Sequence, residues 1–402
     1  MSATAAVATP VAPPHPARSM SILCGVFFSG GFLMAAIGPA LPELSQRTGA
    51  SLAEVGRLTM AMFAGSFAAQ FIAGWASDRF GRRLVLTAGL LLLAATGTLI
   101  AVSTSLALTL SVGVAYGLGY GAFSLSGNVL SSELMPTRRA SAVNLVNMFF
   151  GLGAVVGPLI VSVLLERTGR SLPALWLGSG LLTAAAVAAA LTLPDRLPAA
   201  STAGAGDGPA PSLLRDRMLF ACGVLLLLYV GSEMAAGFWS TVYLQQSAGM
   251  NAARAAAATS LFWAMLTLGR VTAVVAGMHW RAEHLLTASV WIACAGSLLL
   301  WTGHGSAAAS VTAYAILGFG YGPIYPTGVA VLTSRFPHAA GLATSQMGIL
   351  AAIGGALLPW LHGLVIENRP TRDSALLTLA VALATIVAWE CTRRLARRPP
   401  GR

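Results

Sequence analysis

Long apolar stretches separated by short polar connections dominate this chain. A helix needs about 20 apolar residues to cross a hydrocarbon core of about 30 Å, and only helices or closed barrels satisfy their backbone groups there. The stretches have the length of helices, so we predict an all-α membrane protein with twelve transmembrane helices. The predicted spans are Met20–Leu41, Ala53–Ala76, Leu84–Ser103, Leu106–Ser132, Ala142–Leu165, Leu172–Leu193, Met218–Gln245, Ala255–Gly277, His284–Thr302, Ala307–Thr333, Leu342–Ile366 and Ser374–Cys391.

The spans form two sets of six. Between the sets, residues 194–217 are rich in Ala, Gly and Pro, which is typical of a flexible linker. We therefore predict two six-helix bundles. The predicted segments are a disordered tail at 1–18, an N-terminal bundle at 19–193, the linker at 194–217, a C-terminal bundle at 218–392 and a basic tail at 393–402.

The two halves also share sequence landmarks. The segment Tyr116–Gly121 reads YGLGYG, and Leu317–Gly322, 201 residues later, reads LGFGYG. The same offset pairs Pro136 with Pro337, Gly153 with Gly354, and Pro158 with Pro359. Internal repeats are a sequence sign of transporter architecture, so we predict pseudo-symmetric bundles.

Arginine is distributed unequally between the two sets of connections. With the N-terminus inside, 16 of the 24 basic residues fall on the cytoplasmic side, seven fall on the other side, and Arg270 lies within a span. Positively charged short loops stay in the cytoplasm. We predict a multi-pass protein of the cell inner membrane with both termini, the linker and the basic tail in the cytoplasm.

Composition excludes several classes of protein. With 56% hydrophobic and 9% charged residues, the chain has too little polar surface for soluble domains. The net charge of +11 comes from arginines in loops and tails that form no single face, so we expect no nucleic-acid partner. The four cysteines show no metal-ligand spacing, and no nucleophile or phosphate motif is present. We therefore predict no metal, no cofactor and no catalytic residue; a membrane-embedded enzyme or sensor is the rival class.

The connection between the second and third spans concentrates charge. It reads GWASDRFGRR from Gly74 to Arg83. This sequence resembles the loop signature of the major facilitator superfamily, G-x-x-x-D-R-x-G-R-[RK], and matches it at every position. The resemblance covers nearly the whole chain and implies transport of a small solute by alternating access. It assigns a gating role to Gly74, Asp78, Arg79, Gly81, Arg82 and Arg83.

The direction of that gate follows from the predicted orientation. The motif lies at the cytoplasmic face, where the eleventh span has its N-terminus. We expect Gly74 to allow close approach of helices there. Asp78 would then cap the positive end of the eleventh span when the inner gate is shut.

Stretches in the second half narrow the resemblance to one branch. They are Tyr229–Glu233 followed by Trp239 and Tyr243, Phe262–Trp263 with Leu268–Arg270, and Gly318–Thr327. Together with the glycines of the fifth span they resemble the fucose-permease-like branch, whose known members are mostly proton-coupled or sodium-coupled sugar carriers. The fucose–proton symporters use buried carboxylates in the first and fourth helices. This chain has none within those spans, so their coupling chemistry does not transfer directly.

Glu233 is the acidic residue that lies well inside a predicted span. A carboxylate there costs several kcal/mol unless it is paired, hydrated or protonated, so we interpret Glu233 as the coupling candidate, a proton switch. A hydrogen-bonded packing residue is the alternative. Arg270, on the next span, is the obvious partner, but counting residues from the cytoplasmic ends leaves a gap of about 10 Å between them. We therefore expect Arg270 to snorkel to the cytoplasmic interface; a gating or coupling role is the alternative.

Polar and aromatic side chains in the spans are candidates for binding a solute. Amides would suit a neutral polyhydroxylated solute, and indole rings stack on sugar faces. Packing between helices is the alternative for each amide and for Tyr325, and an interfacial belt is the alternative for Trp239 and Tyr243. For Tyr243 we expect the belt. The substrate-binding candidates are Asn128, Asn144, Asn147, Trp239, Tyr325 and Gln346.

Glycines and prolines mark positions where helices approach each other or bend. Glycines at small-residue spacing allow close approach, and proline bends a helix, which a rocking bundle requires; static packing is the alternative. The candidates are Gly153, Gly157, Pro158, Pro326 and Pro359.

Together these patterns predict a monomeric secondary active transporter whose partners are a small-molecule substrate, protons and the lipid bilayer. The favoured substrate is a sugar or similar polar metabolite. The alternative is an efflux antiporter for drugs or metabolites, because the first and fourth spans lack acids.

Overall fold

The computed structural model describes residues 16–194, 216–336 and 340–396, without the side chains of Asp78, Ser345 and residues 340–342. These residues form twelve helical spans that are long and apolar enough to cross a membrane, which confirms the predicted fold class. Several helices run past the predicted ends because polar turns continue the helix beyond the apolar stretch. The helices are α1 (Pro16–Thr48), α2 (Leu52–Phe80), α3 (Arg82–Val102), α4 (Leu106–Leu134), α5 (Arg139–Thr168), α6 (Pro173–Thr192), α7 (Arg217–Ala248), α8 (Ala252–Ala276), α9 (Ala282–Thr302), α10 (Ala307–Tyr321), α11 (Ile324–Arg335), α12 (Ala340–Asn368) and α13 (Thr371–Ala396).

The tenth span consists of two helices instead of the single predicted one. Helix α10 ends at Tyr321, and α11 begins at Ile324. Proline at position 323 has no N–H to donate and its ring crowds the preceding turn, so the helix is interrupted there. The interruption therefore lies at Gly322–Pro323, and Pro326 sits in the first turn of α11, where a missing N–H costs little.

The same backbone contacts recur in both halves. A Cβ built at Gly153 on α5 would lie 1.9 Å from the carbonyl oxygen of Phe28 on α1. At the repeat-related Gly354 on α12, it would lie 1.9 Å from the carbonyl oxygen of Leu227 on α7. Hydrogen in place of a side chain thus lets these helix pairs touch backbone to backbone. The repeated glycines preserve equivalent helix crossings.

The two halves meet closely on one side of the membrane. Because the chain crosses twelve times, α1 begins and α13 ends on the same side, which we call the terminal face; the opposite side is the distal face. In the distal part of α1, a Cβ built at Gly38 would lie 2.6 Å from the carbonyl oxygen of Gly237 on α7. At the start of α2, a Cβ built at Gly56 would lie 2.6 Å from the ring of Trp239. The structure is therefore closed at the distal face.

A carboxylate joins the halves at that face. The first turn of α2 leaves backbone N–H groups without partners inside the helix. Ser51 and Glu54 form a capping box there. The N–H of Ala53 donates instead to the carboxylate of Glu367, at the distal end of α12. The negative charge lies at the positive end of the α2 dipole and stabilises the closed face.

Replacing Gly153 by Ala should destabilise the fold, because the added methyl group would overlap a backbone carbonyl that cannot rotate away. We expect a loss of about 1–3 kcal/mol, seen as earlier thermal unfolding of the purified protein in detergent. The matched control is Gly180→Ala on α6, where a Cβ meets no atom within 4 Å and alanine favours the helix. Equal unfolding temperatures for the two variants would refute the close crossing.

Replacing Glu367 by Gln should loosen the distal closure, because a neutral amide interacts more weakly with the helix dipole. We expect a loss of about 1 kcal/mol, or roughly a fivefold change in the ratio of closed to open forms. The measurement is the distance distribution between spin labels at positions 48 and 248, on the distal ends of α1 and α7. Glu166→Gln, an exposed change at the distal end of α5, is the control. An unchanged distribution in Glu367→Gln would contradict the role of this cap.

Candidate functional site

An ion pair lies in the interior of the C-terminal half. The Nη2 atom of Arg270 on α8 donates to Oε1 of Glu233 on α7 at 3.3 Å. The Glu233 side chain is 7% exposed, whereas that of Arg270 is 33% exposed. Each charge offsets part of the other's desolvation cost. The expectation that Arg270 snorkels away from Glu233 is therefore wrong.

Helix geometry explains why the two residues meet. The connection between α7 and α8 is short and lies at the distal face, so depth is better counted from there than from the terminal ends. Glu233 lies about 22 Å below the end of α7, and Arg270 lies about 27 Å below the start of α8, at 1.5 Å per residue. An arginine side chain spans the remaining difference.

Four tyrosines lie near the ion pair, and of these only Tyr325 is among the substrate-binding candidates predicted from the sequence. Tyr229 lies one helical turn from Glu233 on α7, and its ring packs edge-to-face on Tyr321 at 5.9 Å. All four hydroxyls are close enough to interact electrostatically with Glu233. We call them the tyrosine shell: Tyr120, Tyr229, Tyr321 and Tyr325.

The ion pair and part of its shell line a cleft between the halves. Arg270 lies six residues before the terminal end of α8, and a third of its side chain is accessible. Tyr325, in the first turn of α11, is 38% exposed. Tyr120 belongs to α4, so the N-terminal half contributes the opposite wall. The guanidinium of Arg270, more than the carboxylate of Glu233, faces the open space.

The predicted amides separate into different environments. Asn147 on α5 donates from Nδ2 to Oδ1 of Asn128 on α4 at 2.8 Å, so these two candidates form a pair. They lie nearer the terminal face than Tyr120 does. Asn144 is exposed near the start of α5. The amide oxygen of Gln346 on α12 is buried without a hydrogen-bond partner in the described part of the chain.

The aromatic residues beyond Glu233 belong to the packed distal region. Trp239 is 1% exposed and donates from Nε1 to the carbonyl oxygen of Pro359 at 2.6 Å. Tyr243 is also buried, with its hydroxyl 3.3 Å from the carbonyl oxygen of Leu300. The interfacial belt expected for Tyr243 is therefore wrong, because α7 runs through the centre of the bundle instead of along its lipid-facing edge.

The charged motif ties helices together within the N-terminal half. Gly81 has φ +93°, a conformation that glycine adopts without strain, and separates α2 from α3. Arg82 forms an ion pair with Glu133 at the end of α4. Arg83 donates from Nη1 to the carbonyl oxygen of Leu193, just past α6, at 3.1 Å. These contacts fix the loop to its own bundle.

The contact expected across the inner gate is not made at Gly74 in this structure. A Cβ built there would meet no atom within 4 Å, and the Arg79 guanidinium lies over the neighbouring ring of Trp75 at 5.9 Å. The side chains of Asp78 and Ser345, the linker residues 195–215 and the outer parts of both tails lie outside what the structure describes.

A small cavity lies between α7, α10, α12 and α13. It measures about 10 Å³, room for about one water molecule, and its wall includes Ser232, Trp239 and His362. His362 on α12 bonds to the carbonyl oxygen of Leu358 and to Thr378 on α13. These bonds satisfy the imidazole inside the bundle.

The internal repeat could have revealed the missed tyrosines. Tyr120 and Tyr321 occupy the same position in the two copies of the glycine-rich segment, 201 residues apart. Tyr229 precedes Glu233 by four residues and so shares its helical face. Both signals were present in the sequence.

Twelve spans in two repeated halves around a polar cleft define a membrane transporter. The family model of the Major Facilitator Superfamily matches residues 23–359, and the chain belongs to this superfamily. The recognition of the family is therefore confirmed, and the protein is a transporter of a small solute, not an enzyme.

Known relatives carry different cargoes. The chain is 26% identical to an uncharacterized MFS-type transporter of Yersinia pestis, over 89% of this chain and 92% of the relative. It is 24% identical to the multidrug resistance protein MdtL of Escherichia coli, over 85% and 86% of the two chains. The crystal structure of the E. coli fucose:proton symporter FucP matches with a TM-score of 0.66 and 20% identity, over 94% of this chain and 98% of that one. At this identity the structural match shows the shared fold alone.

Proposed function

We propose that this protein is a proton-coupled carrier of a small polar solute, a sugar or similar metabolite, across the cytoplasmic membrane. The ion pair between Glu233 and Arg270 is the single observation that carries the proposal. The pair joins the titratable carboxylate of Glu233 to a partly exposed guanidinium, and Tyr120 of the N-terminal half interacts with both charges. Charges at this depth are costly and mark transport or proton pathways in membrane proteins.

The coupling follows from the chemistry of the pair. Glu233 binds a proton when the cleft is open to the side of higher proton concentration. Protonation breaks the charge balance with Arg270 and makes its guanidinium available to the cleft. Removing one charge from a buried pair costs about 3–5 kcal/mol, so the empty and loaded states differ enough to couple proton and solute.

Alternating access supplies the motion. The distal closure is one end state, in which the cleft is reached from the terminal face. The excess of arginine in the terminal connections supports the assignment of that face to the cytoplasm. Rocking of one half against the other then exposes the cleft to either side of the membrane.

The second candidate function is export of drugs or metabolites by proton antiport. Two observations favour it: aromatic side chains lie close to the ion pair, and MdtL, a multidrug resistance protein, is similar over most of both chains. The same Glu233 would serve either direction of transport. A panel of sugars and cationic drugs, assayed in proteoliposomes with and without a pH gradient, distinguishes the two.

Replacing Glu233 by Gln should abolish proton-driven accumulation and preserve exchange. The amide imitates the protonated carboxyl group but cannot release a proton. We expect accumulation under a pH gradient to fall at least about tenfold, while exchange of solute at equal concentrations continues. Glu166→Gln at the distal end of α5 is the control. Intact proton-driven accumulation in Glu233→Gln would disprove the coupling role.

Replacing Asp78 by Asn should slow reorientation more than it weakens solute binding. The proposal is that the Asp78 carboxylate caps the N-terminus of α12 when the terminal face closes, and an amide is a weaker cap. The measurement pairs flux with equilibrium binding. Glu283→Gln, in the first turn of α9 next to the corresponding loop of the other half, is the control. Equal losses of flux and binding would contradict a gating role.

A further inference from the structure

We propose that the transported solute is a small organic anion whose carboxylate binds Arg270 when Glu233 is protonated. This inference rests on the proposed function and narrows its substrate class from polar metabolites in general to acids, acidic sugars included. Three features of the cleft carry it: which charge of the pair is exposed, what surrounds the pair, and how the charges balance in the loaded state.

Arg270, the positive partner of the ion pair, is the more accessible of the two residues. The Arg270 side chain is 33% exposed, and the Glu233 side chain is 7% exposed. Nη2 is the guanidinium nitrogen that contacts the carboxylate. Nε is buried and has no hydrogen-bond partner in the described part of the chain. The guanidinium therefore has donor capacity that Glu233 does not use, and a carboxylate is the group whose geometry matches a planar guanidinium.

Within the described part of the chain, the groups that interact with the ion pair include hydroxyl donors but no second cation. The titratable groups that interact with Glu233 across the described residues are Arg270 and the hydroxyls of the tyrosine shell. His362, on α12, is held by its own hydrogen bonds. Tyr325 is exposed to the cleft, and its hydroxyl can donate to a bound oxyanion. A single arginine with tyrosines around it fits one carboxylate better than a phosphate, which usually gathers several cations.

Charge balance separates an acid from a neutral solute. In the empty carrier, Glu233 and Arg270 carry opposite charges and the site is neutral. If a proton enters with a neutral sugar, Glu233 becomes uncharged and the Arg270 guanidinium is left uncompensated inside the membrane, which is unfavourable. If a proton enters with a monoanion, the carboxylate takes the place of Glu233 against Arg270. The loaded site is again neutral, so both the empty and the loaded carrier can reorient.

The step conserves atoms and charge. The proton comes from the aqueous phase and binds an oxygen of Glu233. The hydrogen bond between Nη2 of Arg270 and Oε1 of Glu233 breaks, and the guanidinium donates to the incoming carboxylate. On the other side the carboxylate leaves, Glu233 releases its proton and the ion pair forms again. One proton and one monoanion cross together, and no net charge moves.

The test uses pairs of solutes that differ in a carboxylate against a CH2OH group: glucuronate with glucose, gluconate with sorbitol, and lactate with propane-1,2-diol. Binding to the purified full-length carrier is measured by its thermal stabilisation. We expect at least one acid to bind about 10- to 100-fold more tightly than its matched alcohol, the contribution of charge-assisted hydrogen bonds. Binding of the alcohols alone, of both members equally or of neither would overturn the inference.

Substitutions test whether the preference for the acid arises at Arg270 in the cleft. Arg270→Gln should remove the preference for the acid, and Arg270→Lys should retain only part of it because an ammonium lacks the planar fork. Glu233→Gln should keep acid binding and make it independent of pH, since the amide imitates the protonated state. Arg254→Gln, an exposed change at the distal end of α8, should leave the preference unchanged. A preference that survives Arg270→Gln would place the anion site elsewhere and overturn the assignment.

Transport assays test the anion site and the proposed proton coupling separately. In proteoliposomes, uptake of the acid should respond to a pH gradient and not to a membrane potential imposed with valinomycin. Proton-driven, Glu233-dependent uptake of a neutral sugar would support the proposed function and refute the anion. Acid binding through Arg270 without any response to the pH gradient would support the anion site and refute the coupling. Acid uptake that is accelerated by the potential would refute the electroneutral step.

Discussion

An ion in a low-dielectric interior needs a compensating charge, and this constraint organises the cleft. Glu233 and Arg270 lie on consecutive helices joined at the distal face, so the chain brings them together with little loss of freedom. The tyrosines around the pair add polar groups that tolerate either charge state of the carboxylate. If either charge is removed, the remaining one has no other opposite charge to compensate it among the described residues.

The distal closure and the ion pair are linked through α7. Gly237 lies one turn beyond Glu233 and packs against α1, and Trp239 follows it against the start of α2. When the halves separate at the distal face, these contacts are lost, and α7 gains freedom close to the ion pair. Tyr120 moves with the opposite half, so the same motion changes the polar surroundings of Glu233. The gate and the site therefore share one helix.

The sequence predicts the architecture well because the physical signals are strong there. Apolar length alone identifies twelve spans, and the glycine-rich repeat identifies related halves. The depth of Arg270 in the membrane was harder to predict. Helix α7 extends further than α8 at the terminal face, so depths counted from that face do not compare. Counting from the short distal connection gives the correct depth. Burial of Tyr243 depends on neighbouring helices, which a single span does not reveal, whereas the interruption at Gly322–Pro323 follows from Pro323 and could have been predicted. Glu233 was predicted from its charge, whereas most of its tyrosine shell was missed although the repeat and the four-residue spacing to Tyr229 indicated it.

The location of both charges in one half determines what can separate them. By the register of the repeated crossings, the positions equivalent to Glu233 and Arg270 in the first half are Met34 and Gln70, so the backbone is duplicated and the charges are not. An ion pair that bridged two halves would be broken by rocking alone and would act as a lock. This pair lies within the C-terminal half and moves with it as a unit. Separating its charges takes a chemical event, a proton on the carboxylate or a competing anion on the guanidinium, and that requirement ties the motion of the carrier to its ligands.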